Sequence, residues 1–94
     1  MKTITLFHLQ NCPYCGYARR ALEALKDENP AYGEIEVEWI EESKEPEKTA
    51  GFDYYYVPTI FFEGRKLYEA HPSEDYEACK KNVKAALDAV LSGK

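Results

Sequence analysis

Cys12 and Cys15 are the residues of this chain best suited to chemistry. Three positions apart, they span one helical turn, so at a helix start their sulfurs share a side and can join. The thiolate is the nucleophile in such chemistry, so the deciding question is which sulfur can ionise. Cys12 falls at the expected helix start, where unpaired first-turn N–H groups and the positive end of the helix dipole stabilise an anion. Cys15 falls one turn inside and is expected to be less exposed. Attack on a substrate disulfide is therefore assigned to Cys12, and resolution of the mixed disulfide to Cys15. Pro13 and Tyr14 between them are placed to tune the redox potential, Pro13 by restricting the backbone.

A metal site is the rival reading of two close cysteines. Two sulfurs supply only half of a tetrahedral zinc shell, and no second C-x-x-C or closely spaced His pair follows, so no metal ligands are assigned. An iron–sulfur cluster shared by two chains through Cys12, with external thiols completing its shell, stays open. Cys79 fits an apolar stripe and reads as a small buried hydrophobe before it reads as a third redox thiol. His8, four residues before Cys12, either influences the thiolate or is a partly exposed strand residue. His71 carries no partner signal. Arg19, four residues after Cys15, either aids a thiolate or is solvated helix surface. Tyr14, flanked by the two cysteines, is expected beside the sulfurs and not in the core.

The surrounding elements must hold this pair in place. Residues 2–8 alternate as a strand, with Ile4, Leu6 and His8 facing one way and Thr3, Thr5 and Phe7 the other. Apolar side chains on both faces suit an inner strand. Pro13 stands at the first helical position, where its missing N–H costs nothing. Ala18, Ala21, Leu22 and Leu25 continue along one helical face, and Asn29-Pro30 ends it. Glu34-Ile35-Glu36-Val37-Glu38-Trp39 alternates strictly, as an edge strand with charged outward residues does. Strand, helix and strand in this length make a parallel pair with a right-handed crossover. A C-x-x-C at such a strand-to-helix junction reads as a thioredoxin-like redox motif.

Residues 45–50 suggest a short second helix. Val57-Pro58-Thr59-Ile60-Phe61-Phe62 reads as a strand opening with a proline, Glu63-Gly64-Arg65 as a tight turn, and residues 66–71 as an antiparallel edge strand. Pro72-Ser73-Glu74-Asp75-Tyr76 starts a last helix, whose stripe is Tyr76, Cys79, Val83, Leu87 and Val90 or Leu91. The expected fold is α/β with the order βαβαββα, a four-stranded mixed sheet carrying helices on both faces.

Size and charge narrow the function classes. At 94 residues the chain suits one domain over 1–94. A net charge of −5 argues against nucleic-acid partners and anionic membranes. No run approaches the ~20 apolar residues of a membrane span. Lys2 is followed by a β-type run leading straight to the cysteines, so no signal peptide is expected. Three cysteines fit a secreted disulfide framework poorly; a reducing cytoplasm is the expected setting, and a monomer the expected state.

Cys12-Pro13-Tyr14-Cys15 resembles the active-site tetrapeptide of dithiol glutaredoxins, and Val57-Pro58 resembles that family's Val-Pro step before the third strand. With the spacing between them and the element order, the resemblance covers nearly the whole chain. It implies a thioredoxin-like fold and a thiol–disulfide oxidoreductase acting on disulfide-containing proteins or small-molecule thiols. It implies no tightly bound cofactor, with glutathione the candidate reductant and Cys12 and Cys15 the catalytic pair. It further implies a cis Pro58 packed against the active site, and a Val57 backbone that pairs with an extended substrate beside Tyr14. Tyr54, Tyr55 and Tyr56, with Tyr14, form either an aromatic wall around the substrate thiol or packing beneath the loop before Pro58.

The chain departs from the family pattern in three places. No lysine shortly precedes Cys12, Tyr56 replaces a threonine, and Tyr68-Glu69-Ala70-His71-Pro72-Ser73 stands where a Gly-Gly pair and an aspartate hold glutathione. Glu69 is expected to crowd that groove, weakening or abolishing glutathione binding. A glutathione-independent electron donor, fed by a thioredoxin-reductase-type enzyme, is the alternative that follows.

Overall fold

The computed structural model describes residues 2–10, 12–71 and 73–92. Strand β1 (Lys2–His8) leads into helix α1 (Pro13–Glu28), which returns to strand β2 (Ile35–Glu41). A hairpin of β3 (Thr59–Phe62) and β4 (Arg65–Glu69) follows, then helix α2 (Tyr76–Leu91). The sheet order is β2-β1-β3-β4. Strands β1 and β2 run parallel, whereas β3 is antiparallel to both β1 and β4. The inner position expected for β1 and the edge position expected for β2 are both found.

Local sequence explains the boundaries. Asn29 closes α1 through its backbone N–H to the Leu25 carbonyl, while its side-chain oxygen accepts the Ala31 N–H at 3.1 Å. Pro30 then opens a 3-10 turn, Pro30–Glu34, which carries the chain into β2. The hairpin turn is Glu63-Gly64, both residues at positive φ (50° and 81°), the twist a two-residue β-turn needs. Asp75 caps α2 by accepting the Ala78 N–H at 2.8 Å. Pro72, read as part of that helix start, lies outside the described residues, as does Asn11 ahead of the cysteines.

Alternation along the strands builds two unequal cores. Ile4 and Leu6 of β1, Ile35 of β2, Ile60 and Phe62 of β3 and Tyr68 of β4 meet both helices, which contribute Leu22 and Leu25, then Val83 and Leu87. The other face is smaller: Phe7, Ile40 and Phe61 are covered by Phe52, Tyr54 and Val57 from the segment before β3. The expected fold class holds, with one correction to its detail. Residues 45–50 form no second helix but a single 3-10 turn, Pro46–Thr49, with nothing buried. Both long helices therefore share one face, and an aromatic loop covers the second. Four residues between Pro46 and a Gly51 at φ 87° are too few to nucleate a helix. The strand expected from Val57 also starts two residues later, at Thr59.

Candidate functional site

The end of β1 and the start of α1 place the two cysteines. Cys12 is the N-cap residue in extended conformation, with Pro13 at the first helical turn. Its sulfur accepts the Cys15 N–H at 3.2 Å, so an otherwise orphaned first-turn donor points at the sulfur. The Cys12 thiol also lies 3.8 Å from the Val57 carbonyl oxygen, to which it donates. Cys12 is half-buried, while Cys15 is only 3 % exposed. The sequence-derived ranking of the two sulfurs by access is thus what the fold produces. Both thiols are free.

Cys15 is held as a thiol. Burial, then the neighbouring Cys12 side chain, push its pKa up to about 12, against the Leu9 N–H that points at its sulfur from 3.5 Å. Cys79 is likewise buried, with its pKa raised by desolvation, and lies within the helix-side core, far in character from an exposed redox thiol.

The Val57 carbonyl meets Cys12 from the segment before β3, with Pro58 next in the chain. The Val57–Pro58 peptide bond is cis, as the family resemblance implied. Pro58 is buried, and its carbonyl accepts the Ala70 N–H at 3.1 Å, tying the step to the end of β4. Thr59 anchors the same corner through a hydroxyl donated to the Tyr56 carbonyl.

The four tyrosines divide. Tyr54 stacks on Phe7 at 4.9 Å and donates to Glu42 at 2.5 Å, so it belongs to the second core and not to a wall around a substrate. Tyr55 and Tyr56 are 87 % and 51 % exposed beside Val57. Tyr14 is half-buried and meets Tyr17 edge to face; Tyr17 in turn meets Tyr76, with Arg20 over both Tyr17 and Tyr76.

Three arrangements were not visible in the sequence. Glu69 accepts the backbone N–H groups of Tyr55 and Tyr56 at 2.6 and 2.8 Å, bracing the segment that leads to Val57. Its i to i+3 partner Lys66 was the one available signal, at 2.7 Å. Burial opposes ionisation of Glu69, but Lys66 and the two N–H groups outweigh it and hold the pKa at about 2. Next, Tyr68, Glu74 and Cys79 form a buried cluster, reached from the surface by the exposed Asn82. The Tyr68 hydroxyl donates to Glu74 and contacts the Cys79 sulfur at 3.3 Å, and Asn82 donates to Glu74 at 2.8 Å. Finally, a cleft of about 510 Å³ opens behind the cysteines, bounded by His8, Gln10, Arg19 and Lys44 among others, with both cysteines on its wall. His71 is exposed and stands outside these arrangements. No group of three His, Cys, Asp or Glu side chains suited to a metal ion occurs among the described residues. Among the same residues no helix is long and apolar enough to cross a membrane.

Known proteins resemble this chain in sequence and in fold. The glutaredoxin family model matches residues 4–67, which hold the cysteine pair, Val57-Pro58 and most of the hairpin. A curated thioredoxin of Methanocaldococcus jannaschii is 33 % identical over 82 residues, covering 85 % of this chain and 94 % of its own. Among solved structures, thioredoxin 1 of Thermosipho africanus TCF52B superposes with a TM-score of 0.58 at 16 % identity, covering 98 % of this chain and 99 % of its own. A mutant thioredoxin of Halobacterium salinarum NRC-1 gives 0.55 at 18 % identity, over 90 % of this chain and 74 % of its own. The structural likenesses establish the thioredoxin-like fold. With its matched segment spanning β1 through the hairpin, this chain belongs to the glutaredoxin family.

Proposed function

We propose that this protein is a thiol–disulfide oxidoreductase that reduces protein or glutathione mixed disulfides through Cys12 and Cys15. The observation that carries this reading is the asymmetry of the pair. Cys12 caps α1 with a backbone N–H on its sulfur and partial access to solvent, while Cys15 is enclosed and held protonated. Cys12 attacks the substrate disulfide, Cys15 then attacks Cys12 and frees the reduced product, and the Cys12–Cys15 disulfide is re-reduced by a partner. Val57, beside Cys12 and next to the cis Pro58, offers backbone groups to an extended substrate, and Tyr14 between the cysteines and the exposed Tyr56 are proposed to contact it. Action in the reducing cytoplasm as a monomer fits this chemistry.

A second reading concerns the electron source. Glu69 and the buried Ala70 stand where the family pattern has glycines, and the curated thioredoxin is a relative that covers most of this chain. Both favour a thioredoxin-reductase-type partner over glutathione. A coupled NADPH assay on a model disulfide, run once with glutathione and glutathione reductase and once with thioredoxin reductase, separates the two. Turnover is expected with thioredoxin reductase and little with glutathione. No turnover with either reductant, or with dithiothreitol, would remove the oxidoreductase reading itself.

A further inference from the structure

The enclosed Cys15 thiol must lose its proton when it attacks Cys12, and the fold offers one group suited to receive it. The Leu9 N–H contact at 3.5 Å sets the Cys15 sulfur beside the end of β1, next to His8 in the chain. His8 and Cys15 share the wall of the cleft of about 510 Å³. The His8 Nδ1 atom is buried and has no hydrogen-bond partner, which is uncommon for a polar atom and calls for a reason. The ring is oriented instead by packing. It meets the Trp39 indole edge to face at 5.5 Å, and the Arg19 guanidinium lies 5.7 Å from the centre of the same indole.

The charged groups around the ring come from three elements: Arg19 from α1, Glu41 from the end of β2, and Lys44 from the turn that follows. Glu41 is largely engaged elsewhere, accepting the Ser43 N–H and hydroxyl and the Gln10 N–H. Burial first, then Arg19, lower the His8 pKa, which keeps the imidazole neutral at pH 7 with a lone pair available.

We propose that His8 accepts the Cys15 proton as Cys15 resolves the mixed disulfide. The proposal rests on the assignment of Cys12 and Cys15 given above. In this step a Cys15 sulfur lone pair forms the bond to the Cys12 sulfur. The bond from Cys12 to the substrate sulfur breaks, and its electron pair leaves with the substrate as a thiolate. The proton moves from Cys15 to His8 and then to solvent or to the departing thiolate. The dithiol is oxidised by two electrons and the substrate disulfide is reduced by the same two, so no further reactant is needed.

A single-turnover experiment with a symmetrical aryl disulfide that releases a coloured thiolate tests this. The first release reports attack by Cys12; the second reports resolution by Cys15. His8→Gln is expected to slow the second phase ~100-fold at pH 7, within the usual range for removing a proton acceptor, and to leave the first phase at its rate. In the variant the second phase should rise tenfold per pH unit through the neutral range, where the wild type is flat, and added imidazole should restore it. An unchanged second phase, an equal loss in both phases, or a slow second phase with a wild-type pH profile and no imidazole rescue overturns the proposal. Absence of the first phase in the wild type, or a second phase that survives in Cys15→Ser, instead overturns the underlying dithiol assignment.

Discussion

Replacing Glu69 by alanine removes the brace on the segment that presents Val57, and its effect can be worked from the structure. The carboxylate accepts two backbone N–H groups, from Tyr55 and Tyr56, and pairs with Lys66; its side chain is 17 % exposed. Lowering its pKa from 4.5 to about 2 corresponds at full strength to ~3 kcal/mol of folding stability. Lys66 stands at the exposed rim, where solvent and salt screen the pair, so about 2 kcal/mol is the reasonable share. For a chain of this size, that loss lowers the melting temperature by roughly 8–16 °C.

The sign with pH follows from the direction of the shift. A carboxyl depressed by folding stabilises fully above its unfolded pKa, and that stabilisation is lost as pH falls through the folded one. The gap between wild type and Glu69→Ala should therefore be largest at pH 7, shrink below about 4.5, and nearly close by about 2. Thermal unfolding followed by circular dichroism at several pH values measures it. A gap below ~2 °C at pH 7, or one that stays constant into acid, would refute the bracing role.

Two further outcomes follow from the same geometry. Reduced native protein treated briefly with iodoacetamide at pH 7 should be modified at Cys12 only, because Cys15 and Cys79 are enclosed and held as thiols. Peptide mass mapping checks this, and Cys79 labelling as fast as Cys12 would contradict it. Tyr68→Phe removes the hydroxyl that donates to the buried Glu74, leaving a carboxylate oxygen short of a partner. A loss of about 2 kcal/mol in urea unfolding is expected, and no measurable change would show that the cluster contributes nothing.

Much of the fold was legible because its signals are local. Pro13 after Cys12, the Ala18 to Leu25 stripe and Asn29-Pro30 bound α1 as expected, and the alternation in β2 marks an edge. The inner role of β1 showed in its apolar residues on both faces. The two helices on one face were not legible, since residues 45–50 look helical by composition while only Pro46–Thr49 adopts a turn. What covers the second face instead is Phe52 and Tyr54, whose docking on Phe7 and Phe61 depends on a long-range approach that carries no periodic signal. The same reason hid the Glu69 brace, which joins β4 to a loop over ten residues earlier. At the site, cysteine spacing and the helix start foretold which sulfur is accessible. The unpartnered nitrogen of His8 and its seat against Trp39 required the sheet register, which sets β1 beside β2.

The division of labour between the two cysteines is tested most directly by trapping. Cys15→Ser, reduced and then mixed with a disulfide-bearing peptide, should accumulate a stable adduct whose intact mass equals protein plus half-disulfide, with the bond mapped to Cys12. Cys12→Ser under the same conditions should form none. An adduct on Cys15 in the Cys12→Ser protein, or equal turnover in the two variants, would contradict the account.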